Sequence, residues 1–87
     1  MTGDKEGQIR TTVLFFGYTS DLAGRRSLEL ELPEGSDAAF ALSVIEHRIP
    51  KLAGLKLLFS VNQAYAKGPE LINDGDELAV FTAVSGG

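Results

Sequence analysis

The chain has 87 residues, 44% of them hydrophobic, and a net charge of −4. A single domain of this size buries roughly 60–65% of its unfolded surface, which leaves no room for a large internal substrate cavity. The absence of cysteine excludes disulfides, thiolate metal sites and a cysteine nucleophile, and the acidic balance argues against a nucleic-acid partner.

Met1 to Gln8 carries Asp4, Lys5 and Glu6 and has no apolar run. It does not read as a signal peptide; residues 1–8 read as a disordered extension. No apolar run is long enough to span a membrane, so the expected location is the cytoplasm, with no membrane partner. Ile9 to Phe16 is rich in β-formers. Ile9, Thr11, Val13 and Phe15 point one way, and Arg10, Thr12, Leu14 and Phe16 the other. Both faces turn apolar towards Phe16, as expected of a central strand. Gly17 to Gly24 is a connector in which Ser20 to Ala23 can make one helical turn closed by Gly24.

Leu28-Glu29-Leu30-Glu31-Leu32 alternates strictly and predicts a half-buried strand, hairpinned to the first, with leucine inside and glutamate in water. Pro33-Glu34-Gly35 ends it. Ser36 is the expected N-cap of a helix, and Asp37 suits its positive end. The helix runs to about Ile49, where Pro50 stops it. Ala38, Leu42, Ile45 and Ile49 form its core-facing stripe. Leu57 to Val61 reads as a strand, Asn62-Gln63 as a turn, and Ala64 to Ala66 as a short strand. Leu71-Ile72 packs down, Asn73 to Asp76 turns, and Glu77 to Ala83 is the last strand. The order β-β-α-β-β-β with one amphipathic helix on one face of a mixed sheet is an α+β layer arrangement. It is the order of the β-grasp, or ubiquitin-like, fold, in which the first and last strands lie side by side at the sheet centre. Residues 9–83 form that domain.

Candidate chemistry is sparse. His47 lies near the helix C-terminus, off the apolar stripe, and reads as a solvated residue with no nucleophile beside it. Asp74-Gly75-Asp76-Glu77 lacks the ligand spacing of a calcium loop and reads as a turn. Arg25-Arg26 reads as solvated. No phosphate-binding glycine motif is present. From Gly68 onward there is no lysine or arginine, but there are Glu70, Asp74, Asp76 and Glu77; a receiving protein is therefore expected to offer a basic pocket. If Val13 and Phe15 face the helix, Leu14, Phe16, Leu58 and Phe81 share the open face. There they would make one exposed apolar patch, enough to imply a partner. A register shifted by one residue would exchange the two faces.

The chain closes on Val84-Ser85-Gly86-Gly87. Extended from Ala83, this segment reaches about 16 Å, and its last two residues have no β-carbon to hinder entry into a narrow pocket. Residues 84–87 read either as a flexible tail whose Gly87 carboxylate is the reactive group, or as a frayed terminus.

Val13-Leu14-Phe15-Phe16, Asp21-Leu22-Ala23-Gly24, Val61-Asn62-Gln63, Asp74 to Val80 and Val84-Ser85-Gly86-Gly87 together resemble the MoaD-like small subunits of molybdopterin synthase. The resemblance spans about Ile9 to Gly87. Two positions depart from the family's common pattern. Thr82-Ala83 stand where Pro-Pro often precedes the tail, and Ser20-Asp21 stand where Arg-Glu often does. The resemblance implies a sulfur carrier. An adenylyltransferase similar to ubiquitin-activating enzymes would use ATP to adenylate Gly87, giving the carboxylate a good leaving group. A persulfide sulfur would displace AMP and leave a thiocarboxylate. Val84, Ser85 and Gly86 would thread the large synthase subunit, with Leu14, Phe16, Leu58 and Phe81 docking on it, and the sulfur would go to cyclic pyranopterin monophosphate. It further implies a heterotetramer of two small and two large subunits. No cofactor or metal would be bound permanently, and the acid–base side chains would belong to the large subunit. Other readings on the same fold are a thiamine-type sulfur carrier, a ubiquitin-related protein modifier, and an interaction module whose Gly-Gly is incidental.

Overall fold

The computed structural model describes residues 7–82. The two β-rich runs at the start form β1 (Gln8–Phe15) and β2 (Ser27–Pro33), paired antiparallel, with Val13 opposite Leu28 and Thr11 opposite Leu30. Leu28, Leu30 and Leu32 are all buried, and Glu29 and Glu31 are exposed. The alternation thus puts every β2 leucine into the core, each contributing roughly 1.5–3 kcal/mol of burial. β1 starts at Gln8, and the Gly7 carbonyl accepts from Glu34 N–H at 2.7 Å. The expected disordered extension over residues 1–8 is therefore too long at its end: backbone pairing holds Gly7 and Gln8. Residues 1–6 lie outside the described residues.

Between these strands, α1 (Tyr18–Ala23) is longer than the single turn expected from Ser20, and Gly24 closes it in the left-handed conformation at φ 72°. The main helix, α2 (Ala38–Arg48), is capped by Asp37, whose Oδ1 accepts from Phe40 N–H at 2.9 Å. Ser36 is not the cap; its hydroxyl donates to the Pro33 carbonyl at 2.7 Å and shapes the turn before the helix. Ala38, Ala41 and Ile45 are the buried helix residues, while Leu42 and Ile49 of the expected stripe pack half-buried at its margin. A 3₁₀ turn, Pro50–Leu52, follows and buries Leu52.

β3 (Leu57–Val61), β4 (Ala64–Tyr65) and β5 (Glu77–Thr82) complete a five-stranded sheet in the order β2-β1-β5-β3-β4. β1 and β5 run parallel at its centre, with Val13 opposite Leu78 and Phe15 opposite Val80. This is the β-grasp arrangement. Asn62 and Gln63 both take positive φ, 50° and 73°, the mark of a two-residue hairpin whose twist matches its strands. The Asn62 side chain donates to Asp76 Oδ1 at 2.9 Å and accepts from Glu77 N–H at 2.9 Å, tying the hairpin to the start of β5. Ile72 packs into the core as expected, but Leu71 is 62% exposed. The pairing of Asp37 with Leu71 turns successive side chains to opposite sides, so only one of the two enters the core.

Candidate functional site

Alternation on three adjacent strands decides what the open face carries. Val13, Phe15, Leu78 and Val80 are buried under α2, along with Phe59 of β3. Their neighbours point the other way. Leu14 stands opposite Ala79, and Ala79 opposite Ser60. One step further along, Phe81 stands opposite Leu58. Phe16, just past β1, is 53% exposed, and Leu58 is 37% exposed. The expected register is therefore the observed one, and Leu14, Phe16, Leu58 and Phe81 lie on the uncovered side. Leu14 and Phe16 also wall a shallow hollow with Gly17, Ser20, Asp21 and Arg26.

One patch residue escaped the sequence reading. Tyr65 is 73% exposed and sets its ring 5.8 Å from that of Phe81, tilted by 54°. An aromatic pair in this geometry adds roughly 0.5–1.5 kcal/mol beyond its buried area. Tyr65 stands opposite Ser60, so a two-residue turn at Asn62-Gln63, followed by strict alternation, places it on the face of Leu58. The signal was available in the turn length. The shortness of β4 concealed it.

The same face changes character along the strands. Towards the start of β5 it carries Arg10, Thr12, Glu29 and Glu31. Arg10 Nη2 lies 3.1 Å from Glu31 Oε2, and the Thr12 hydroxyl donates to Glu29 at 3.1 Å. The apolar part sits at the other end, where β1 and β5 finish together. A buried hydroxyl secures that end. Thr19 of α1 is fully buried, and its Oγ1 lies 2.8 Å from the carbonyl oxygens of both Phe16 and Val80. It also accepts from Phe16 N–H at 3.0 Å. Thr19 thereby fastens α1 to the last turns of both central strands. Val84, Ser85, Gly86 and Gly87, the expected tail, lie outside the described residues, as does Ala83. The chain enters that segment from Thr82, which pairs with Leu57 at the border of the patch.

The acids of the last third are elsewhere. Asp74 Oδ1 accepts from Arg10 N–H at 2.8 Å, and Asp76 Oδ2 from Asn73 N–H at 2.7 Å. These bonds make the turn before β5, and Gly75 within it takes φ 87°. Glu70 accepts the backbone N–H groups of Lys67 and Gly68 at 2.8–2.9 Å, and these bonds hold its pKa below the usual carboxylate value. All of them stand at the start of β5 or before it, a strand length of about 15–20 Å from its end. The acids that precede the tail in sequence therefore do not surround Thr82, from which the chain passes into it, and the expected basic pocket draws no support from them. Sequence proximity put these acids near the terminus, and the direction of β5 carries them away. Among the described residues no group of acids or histidine has the arrangement to hold a metal ion, and His47 is exposed on α2.

The ThiS family model matches residues 13–87, nearly the whole chain. The chain belongs to the ThiS family. Among its relatives is the human molybdopterin synthase sulfur carrier subunit, 35% identical over 80 residues that cover 86% of this chain and 91% of the relative. The Haemophilus influenzae protein of the same name is 37% identical over 82 residues, covering 86% of this chain and 96% of that one. A solved putative molybdopterin converting factor subunit 1 from Pyrococcus furiosus superposes with a TM-score of 0.82 at 28% identity, covering 87% of this chain and 99% of the other. This ThiS-family chain is thus MoaD-like in sequence and in fold. No helix among its described residues is long and apolar enough to cross a membrane.

Proposed function

We propose that this chain is the sulfur-carrying small subunit of a molybdopterin synthase and works in the cytoplasm. Gly87 is the carrier atom site. Its carboxylate is activated as a transient acyl-adenylate, with ATP consumed on a ubiquitin-activating-like adenylyltransferase; a persulfide sulfur displaces AMP to give an acyl disulfide, whose S–S bond a thiol reductant cleaves. The resulting thiocarboxylate is carried by Val84, Ser85 and Gly86 into the large subunit and donates sulfur to cyclic pyranopterin monophosphate. No permanently bound cofactor is required of the carrier. The acid–base side chains are those of the large subunit, in an assembly of two small and two large chains.

The observation that carries this reading is one of position. The two central parallel strands finish together at an apolar patch, and residues 83–87 follow from its border. A surface of Leu14, Phe16, Leu58, Phe81 and Tyr65 that excludes water around the departure point gives a partner something to grip. The tail can then enter while the domain itself stays outside. The names of the relatives support the sulfur and the pathway.

The test is an intact mass after incubation with adenylyltransferase, ATP, a persulfide donor and a thiol reductant. The expected product has one oxygen exchanged for one sulfur, and fragmentation places it on Gly87. An unchanged mass with active enzyme and a free terminal carboxylate would leave only an interaction module. Replacing Gly86 with a bulky residue is expected to preserve the melting temperature while abolishing transfer to the large subunit.

A further inference from the structure

Charge in this protein is sorted along the strands. At the end where β1 and β5 finish, Arg26 is fixed beside the patch, because its carbonyl accepts from Phe15 N–H at 2.8 Å. Arg25 precedes it. Lys56 adjoins Leu57, the partner of Thr82. Lys51 lies in the 3₁₀ turn that packs against α1, and Arg48 closes α2 just before that turn. All five bases are exposed, and the acids at this end are Asp21 and Glu46. Among the described residues no carboxylate forms an ion pair with Arg25, Arg26, Lys51 or Lys56.

The opposite end is the reverse. Glu29, Glu31 and Glu34 on and after β2, with Asp37 at the helix cap, join the four acids of residues 70–77. Among the described residues the bases at this end are Arg10 and Lys67, and Arg10 is already paired with Glu31 and Glu29. An acidic chain therefore folds with a cationic end, and the apolar patch lies at that end, with Arg26 lining the same hollow as Leu14 and Phe16.

We propose that this end is a cationic rim around an apolar docking centre, and that the fitting partner is a protein with acidic side chains around the mouth of the pocket that receives the tail. The inference rests on the sulfur-carrier reading and names the chemistry of the surface that meets it. The physical reason is steering. A molecule with separated charges is turned by its partner's field before contact, and charges at a rim act mainly on the association rate. Because these bases are exposed, salt screens the effect within roughly 8–10 Å at ordinary ionic strength. The net charge alone would predict that acidic partners are repelled. The fold lets this one approach, provided it comes from the tail end.

Two measurements test this. In the free protein, an anionic nitroxide is expected to relax the amides of Phe16, Arg26 and Leu57 more strongly than a cationic one, and those of Asp74 and Glu77 less strongly. Equal effects at both ends would remove the polarity and the proposal. In stopped flow, the Arg25→Glu/Arg26→Glu variant is expected to associate about tenfold more slowly with the molybdopterin synthase large subunit at low salt. Its dissociation rate should be unchanged, and the difference should vanish at about 1 M salt. Lys51→Glu/Lys56→Glu is a second variant in case the first lowers the melting temperature, since Arg25 Nε also donates to the Ser27 carbonyl. If wild type binds and both variants associate as fast or faster, the rim is wrong and the carrier reading stands. If wild type does not bind the large subunit at all, the carrier reading fails and takes the named partner with it.

Discussion

Val80 and Phe81 are consecutive residues of β5 with opposite assignments. Val80 is fully buried beneath α2, opposite Phe15 and Phe59, whereas Phe81 lies on the other face against Leu58 and the ring of Tyr65. The covered face holds the domain together. The open face leaves large apolar side chains in water, where they contribute less to the fold than they would buried. A strand with a period of two separates the two tasks residue by residue. The open face can then change without loss of the core, and β5, from which the chain passes into residues 83–87, is paired on both sides.

The contrast between faces is tested most severely by truncating one residue on each. Leu78→Ala, on the covered face, is expected to cost roughly 2–5 kcal/mol, because the surrounding close-packed core cannot fill the space left. Phe81→Ala is expected to cost far less in denaturant unfolding but to weaken association with the large subunit strongly. Equal destabilisation by the two would mean that the open face is part of the core's support.

A smaller effect is expected at Thr19, which joins the ends of both central strands. Thr19→Val keeps the shape and removes the hydroxyl, leaving Phe16 and Val80 carbonyls underserved in a buried place. A loss of about 1–3 kcal/mol follows, and Thr19→Ser should recover most of it. If the valine variant is as stable as wild type, the hydroxyl is not what fastens α1 to the strands.

The smallest expected change is a gain. Thr11 lies on the covered face, 1% exposed, and its hydroxyl has no hydrogen-bond partner among the described residues. Thr11→Val should raise stability by about 1 kcal/mol, which for a domain of this size is roughly 4–8 °C in melting temperature. An unchanged or lowered melting temperature would show that the hydroxyl is served, for instance by a buried water.

Much of this arrangement was legible beforehand, and for stated reasons. The Leu-Glu alternation at residues 28–32, the Pro50 stop and the Gly24 closure are local rules that tertiary packing had no cause to override. The open-face patch followed from period-two alternation once Val13 and Phe15 were assigned inward. Four details did not follow. Asp37 replaced Ser36 as the cap because Ser36 is engaged with Pro33, a competition between two good capping residues that composition cannot settle. Gly7 and Gln8 are held by pairing with the far end of β2, a partner about 25 residues away in sequence. Leu71 turned outward because of a single bridge to Asp37. Tyr65 was missed because a two-residue strand is too short to show a period.

The sequence by itself determined the principal elements, their order and the inward face of every strand but the two-residue β4, since these depend on side-chain type at short spacing. It also determined the net charge. Where that charge sits was decided only by the tertiary structure. Residues 70–77 are close to the terminus along the chain, but β5 runs its length between them and the departure of the tail. Arg25 and Arg26 are distant in sequence from Lys56, and they stand at one end of the sheet because β1 and β5 are parallel and end where β2 and β3 begin. Electrostatic fields act through space, so proximity along the chain is no guide to the charge at the end of the sheet where β1 and β5 finish.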